Sequence, residues 1–154
     1  MKFTTLVAGS LIALALAGAP QAKTIQANDT DAILNIARGY GAAELVAQGN
    51  GDPQITGKIE GITYQVYFLN CTDHTQCQDL NFYLGFLDIK PSLETINAWN
   101  FTKRFSRAYL DQDQDASIEM DLDLANGVDA KMLDAQFDIW RQVIAQFATH
   151  IGYN

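Results

Sequence analysis

The chain has 154 residues, 48% hydrophobic and 18% charged, which is the composition of one ordinary globular domain and not of a disordered chain. Eighteen acidic side chains stand against ten basic ones, and the net charge of −8 argues against binding nucleic acid or an anionic membrane, because such proteins cluster Lys and Arg against phosphates. Nine of the acids lie between Asp111 and Asp138, where Lys131 is the only base, so the excess is local.

Residues 1–22 read as a secretory signal, with Lys2 as the positive start, an apolar stretch from Leu6 to Ala17 that is too short to span a bilayer, and small residues after it. Cleavage is expected after Ala22, because Pro20 would hinder a cut after Ala19. What remains is a single domain over 23–154, expected to be periplasmic or secreted and free of the membrane after cleavage.

Asn28 to Arg38 is a helix candidate that Asp29 or Thr30 can cap, with Ile33, Leu34 and Ile36 as apolar contacts and Gly39 at a left-handed exit. Ala42 to Gln48 reads as a strand, Gly49 to Pro53 as a turn, and Gln54 to Glu60 as a short polar edge strand broken by Gly61. Ile62 to Asn70 and Leu80 to Asp88 are the strongest strands. Ile62, Tyr64, Val66 and Phe68, with Phe82, Leu84 and Phe86, form apolar faces for the core.

Between these strands, Cys71 and Cys77 enclose Thr72 to Gln76. In an oxidising compartment that pair reads as a disulfide clamping a hairpin loop, contributing about 2–3 kcal/mol. Zinc is the competing reading, since His74 sits midway, but a zinc site needs three or four converging ligands and His150 is the only other His.

Ser92 is expected to cap a second helix, buried through Leu93, Ile96 and Trp99 and ending near Arg104. Phe105 to Asp111 and Ser117 to Leu124 alternate as a hairpin with one wet face, Ile118, Met120, Leu122 and Leu124 pointing inward and Ser117, Glu119, Asp121 and Asp123 outward. Matching the apolar faces requires opposed residue numbers to have an even sum, and a turn centred on Asp113 then pairs Arg107 with Glu119. Asn126-Gly127 turns the chain, and Asp129 caps a final helix whose Leu133, Phe137, Trp140, Ile144, Phe147 and Ile151 form one continuous stripe. His150, near its end, reads as a surface or helix-dipole contact. The order is helix, four strands, helix, two strands, helix: an α+β layout with an antiparallel sheet and helices on one face.

Asn97-Ala98-Trp99-Asn100, Lys103-Arg104-Phe105, Arg107-Ala108-Tyr109-Leu110-Asp111 and Glu119 to Leu124 with Gly127 together resemble the YbjN-domain family of bacteria over roughly residues 28–150. Cys71 and Cys77 are similar to the cysteine loop of its exported members. The resemblance implies a fold like that of type III secretion chaperones, often dimeric, and a sensory-regulatory or partner-binding role without catalytic residues or cofactors. The family usually has an Asp-Gly turn where this chain has Asp113-Gln114-Asp115, and a Gly-Gly pair where it has Asn126-Gly127.

Asp111, Asp113 and Asp115 match the first three ligand positions of a calcium loop, but Ala116 stands where the sharp turn needs Gly and Leu122 where a bidentate Glu closes the cage. They are therefore weak metal candidates, and a divalent-cation or small-ligand protein using the acidic hairpin is the competing function. Phosphate-loop, nucleophile-elbow and zinc-protease motifs are absent from the sequence. The positive signal is the second sheet face, which gathers Tyr67, Leu69, Tyr83, Leu87 and Tyr109 beside Arg107 within a rim of Glu119, Asp121 and Asp123. Aromatic and Arg content inside a polar rim is interface composition. Either the N-terminal segment or an edge strand of the same chain covers this face, or it is open to a protein or peptide partner or to a second copy.

Overall fold

The computed structural model describes residues 24–153, so the expected signal segment lies outside the described residues. In chain order it contains β1 (Thr24–Ile25), α1 (Thr30–Arg38), β2 (Ala43–Ala47), β3 (Pro53–Ile59), β4 (Ile62–Leu69), β5 (Asp79–Phe86), α2 (Leu93–Thr102), β6 (Arg107–Leu110), β7 (Ala116–Asp123), β8 (Val128–Asp129) and α3 (Ala130–His150). Six strands form one antiparallel sheet in the order β2-β3-β4-β5-β7-β6, while β1 and β8 pair separately. This is the α+β arrangement that alternation and helical periodicity imply. β1 and β8 are additions, because two residues carry no readable period.

One strand differs from its sequence reading. β3 lies inside the sheet between β2 and β4, and β2 is the edge. Gln54, Thr56 and Lys58 make β3 look polar, but they face the side away from the helices, whereas Ile55 and Ile59 on the other side are fully buried. Gly57 lets Tyr64 lie across the strand, since a Cβ there would overlap the tyrosine ring. Glu60 and Gly61, at φ 51° and 89°, form the two-residue turn that closes the β3–β4 hairpin at Ile59 and Ile62.

The core lies between the sheet and the helices. Leu133, Phe137, Trp140, Ile144 and Phe147 of α3 are buried, and Ile151 is half-buried at the helix end. The Phe82 ring of β5 meets Phe137 at 5.0 Å and Trp140 at 5.8 Å, and Trp99 of α2 meets Phe147 edge-on at 5.0 Å. Asp129 caps α3 by accepting from Met132 N at 2.8 Å, and Ser92 caps α2 by accepting from Thr95 N at 3.1 Å. Ile96 and Trp99 anchor α2, but Leu93, its first residue, turns outward and is 65% exposed, and the helix stops at Thr102. At α1, Asp29 accepts from Gln26 N instead of from the helix, and Gly39 is right-handed at φ −65°. His150 is half-buried in the last turn of α3: its Nε2 lies 2.8 Å from the Thr95 carbonyl and its ring packs against Trp99, so it also ties α3 to α2.

The loop between β4 and β5 is closed by the Cys71–Cys77 disulfide around a bridge between Thr72 and Thr75. His74 Nδ1 lies 2.9 Å from Asp52, which fastens this loop to the β2–β3 turn. In the β6–β7 hairpin Arg107 opposes Glu119 and Leu110 opposes Ala116, the register centred on Asp113. Gln114 occupies a left-handed position, φ 67°.

Candidate functional site: the open sheet face

Because strand side chains alternate, the pairings of β4, β5, β7 and β6 bring one set of residues to the face opposite the helices. Gln65 opposes Tyr83, Tyr83 opposes Glu119, and Glu119 opposes Arg107; one step along, Gly85 opposes Ser117 and Ser117 opposes Tyr109. Tyr67, on the same face, has its ring centroid 5.9 Å from that of Tyr83. All three tyrosines keep partial exposure, and among the described residues the helices pack on the other side.

The tyrosine hydroxyls are held by small and acidic neighbours. Tyr83 Oη and Ser117 Oγ are 3.2 Å apart, and a Cβ on Gly85 would stand 2.8 Å from that hydroxyl, so Gly85 leaves the room that Tyr83 fills. Tyr109 donates to Glu119 Oε2 at 3.2 Å. Arg107 pairs with Glu119 and lies 5.5 Å above the Tyr109 ring. The Glu119 side chain is left 12% exposed and the Arg107 side chain 72% exposed, so of this pair the arginine is the charge that faces solvent. Around it, Asn81 donates to Asp121 at 2.8 Å and Asn70 to Asp79 at 2.6 Å, which gives an amide and carboxylate rim.

Burial, followed by the charge and hydrogen bond of Glu119, pushes the Tyr109 hydroxyl up to about 12. Burial and the neighbouring Tyr83 raise Tyr67 as well. The Tyr67 and Tyr109 hydroxyls therefore stay neutral near pH 7 as hydrogen-bonding groups. What the face offers is flat aromatic area, hydroxyls, an exposed guanidinium and a polar rim.

Tyr67, Tyr83, Tyr109 and Arg107 are thus brought together. Leu87 is not: it lies beyond the end of β5 and is 84% exposed, and Leu69 sits at the last position of β4. Ser117, expected to face water, is fully buried between Tyr83 and Tyr109. It and Gly85 belong to the site, and the signal for both is their small size on adjoining strands of one face.

The acidic hairpin uses its carboxylates differently. Asp111 Oδ1 accepts from the backbone N–H of Asp113 and of Asp115, both at 2.9 Å. Asp115 is buried 3.2 Å from Lys90 Nζ, which also donates to the Asp113 carbonyl at 2.5 Å. Among the described residues no group of three or more His, Cys, Asp or Glu converges to hold a metal ion.

A family model, YbjN, described as "Putative bacterial sensory transduction regulator", matches residues 29–152. The chain belongs to the YbjN family. No curated protein matches the chain. Among solved structures, this YbjN protein is similar in fold to the Yersinia pestis type III secretion chaperone SycH, crystallised in complex with a stable fragment of YscM2, with a TM-score of 0.50 and 14% identity over 79% of this chain and 97% of that one. The YbjN fold is therefore chaperone-like, which agrees with the sequence resemblance.

Proposed function

We propose that this YbjN-family protein is an exported, non-enzymatic, chaperone-like regulatory protein that captures a protein or peptide partner on the face formed by Tyr67, Tyr83, Tyr109 and Arg107. The observation that carries this reading is an ordered aromatic and hydrogen-bonded surface with no described element packed over it. Aromatic and Arg side chains supply large contact area at low entropy cost, and partly buried hydroxyls beside a charged rim are what interface cores and rims are made of. The family description and the chaperone likeness agree with a partner-binding role. Export draws support from the signal pattern of residues 1–22 and from the disulfide, which persists in oxidising compartments.

The test compares proteins retained from a periplasmic extract by the wild-type chain and by the triple variant Tyr67→Ser, Tyr83→Ser, Tyr109→Ser. The variant is expected to lose the partner while keeping a cooperative melt. Retention of the same protein by both would contradict the assignment.

A further inference from the structure

Asparagine precedes glycine at two places in the chain, Asn50-Gly51 and Asn126-Gly127. Such a pair is chemically labile, because glycine has no Cβ to keep its backbone nitrogen away from the side-chain amide before it. The two turns share one backbone pattern. Gly51 N donates to Gln48 O at 2.9 Å and Gly127 N to Leu124 O at 3.0 Å, and both glycines are left-handed, φ 95° and 71°.

Their asparagine side chains differ. Asn50 is tied at both ends of its amide: Nδ2 donates to Asp52 Oδ2 at 2.8 Å, and Oδ1 accepts from Asp52 N at 3.0 Å. Asp52 is held in turn by His74 of the disulfide loop, whose ring lies 3.0 Å from where a Cβ on Gly51 would stand. Asn126 is exposed, and among the described residues its side chain makes no hydrogen bond. The nearby Asp123 carboxylate is engaged by Ala125 N at 2.8 Å and does not hold it.

We propose that Asn126 is a site of spontaneous deamidation and that Asn50 is protected from it. The Gly127 nitrogen gives up its proton and attacks Asn126 Cγ, a C–N bond forms, and ammonia leaves as a succinimide ring closes. Water then opens the ring at one of its two carbonyls. Opening at Cγ leaves aspartate, whereas opening at the main-chain carbonyl leaves isoaspartate, in which the chain runs through Cβ and Cγ. Water is the only co-reactant. For the same attack Asn50 must first give up both bonds to Asp52, which slows it more than about fivefold.

The isoaspartate form also has a structural consequence. It adds one carbon to the main chain just before Gly127, where even a Cβ would stand 3.0 Å from Thr24 Cβ and 3.2 Å from Gln26 Cγ. Val128 and Asp129 follow at once, paired with Ile25 and Thr24. The longer chain therefore displaces β8 from β1 at the start of α3, while plain aspartate adds only charge. Neither strand belongs to the tyrosine face, so the modification is independent of what that face binds.

The test is peptide mapping by mass spectrometry of the disulfide-intact chain, incubated at mildly alkaline pH and physiological temperature. Conversion at Asn126 is expected to outpace that at Asn50 by more than about fivefold. Asp52→Ala frees Asn50 Nδ2 and is expected to narrow that gap; if this variant fails to fold, the wild-type ratio decides. Aged wild type rich in isoaspartate should exchange the amide hydrogens of β1 and β8 faster than Asn126→Asp, which has the charge without the extra carbon. An intact Asn126, equal conversion at both sites, an unchanged ratio in folded Asp52→Ala, or exchange no faster than in Asn126→Asp would overturn the proposal.

Discussion

The two faces of the central sheet are built from the same strands and yet are under opposite demands. On the helix side Phe82, Phe86, Ile118, Phe137, Trp140 and Phe147 are closed to solvent, and the Phe82 ring meets Phe137 and Trp140, and Phe86 meets Phe147, at 5.0–5.8 Å. On the other side Tyr67, Tyr83 and Tyr109 are only partly covered, and their hydroxyls are tied to Ser117 and Glu119 instead of being packed into a core. The first face accounts for the stability of the fold. The second contributes little to it and is arranged all the same, which is the expectation for a surface kept for recognition.

Truncation should separate the faces most strongly. Phe137→Ala is expected to cost about 3–5 kcal/mol in denaturant unfolding, because it opens a cavity beneath Phe82. Tyr83→Ser, at a partly solvated position, should cost less than about half of that. Equal losses would show that the open face is a second core. The disulfide comes next: replacing Cys71 and Cys77 together by Ser should lower stability by about 2–3 kcal/mol, with the loss abolished when wild type is measured in reductant.

Alkaline pH acts on tyrosines of both faces. Tyr109 on the open face and Tyr64 in the core are each raised to about 12 from 10.0, burial being the main cause for both. Their folded-state values lie above the unfolded one, so their contribution to stability is complete below pH 10 and is lost as pH rises from about 10 to about 12. Phenolate absorbance read beside unfolding should show that loss in this window, and a melting temperature constant across it would contradict the assignment. The smallest expected effect is a gain: Gln114→Gly relieves a left-handed residue at the hairpin tip and should add about 0.5 kcal/mol, since the strain removed slightly exceeds the entropy cost of glycine. It should leave partner binding untouched, because the tip is not part of the tyrosine face.

Much of this contrast was legible in the sequence. Alternation alone placed Tyr67, Tyr83, Tyr109 and Arg107 on one face, and the parity of apolar positions together with a turn centred on Asp113 put Arg107 opposite Glu119, because a one-residue slip would bury the aspartates of β7. What local pattern could not carry was position in the sheet. β3 looked like an edge because its polar residues face the open side, while β2, joined to it by a short turn, takes the outer place in the sheet. The same holds for Ser117, whose burial comes from Tyr83 two strand positions away on β5, and for Leu93, whose exposure depends on where α2 meets β6. Whether the tyrosine face was covered turned on where three helices lie, and no single strand records that.

The central claim is that a protein sits on the tyrosine face, and site-specific photo-crosslinking in living cells tests it most directly. A benzophenone side chain at Tyr83 should yield an adduct with a partner polypeptide, whereas the same probe at Ala145, exposed on α3, should yield none. No adduct from position 83, or the same adduct from both positions, would contradict the account.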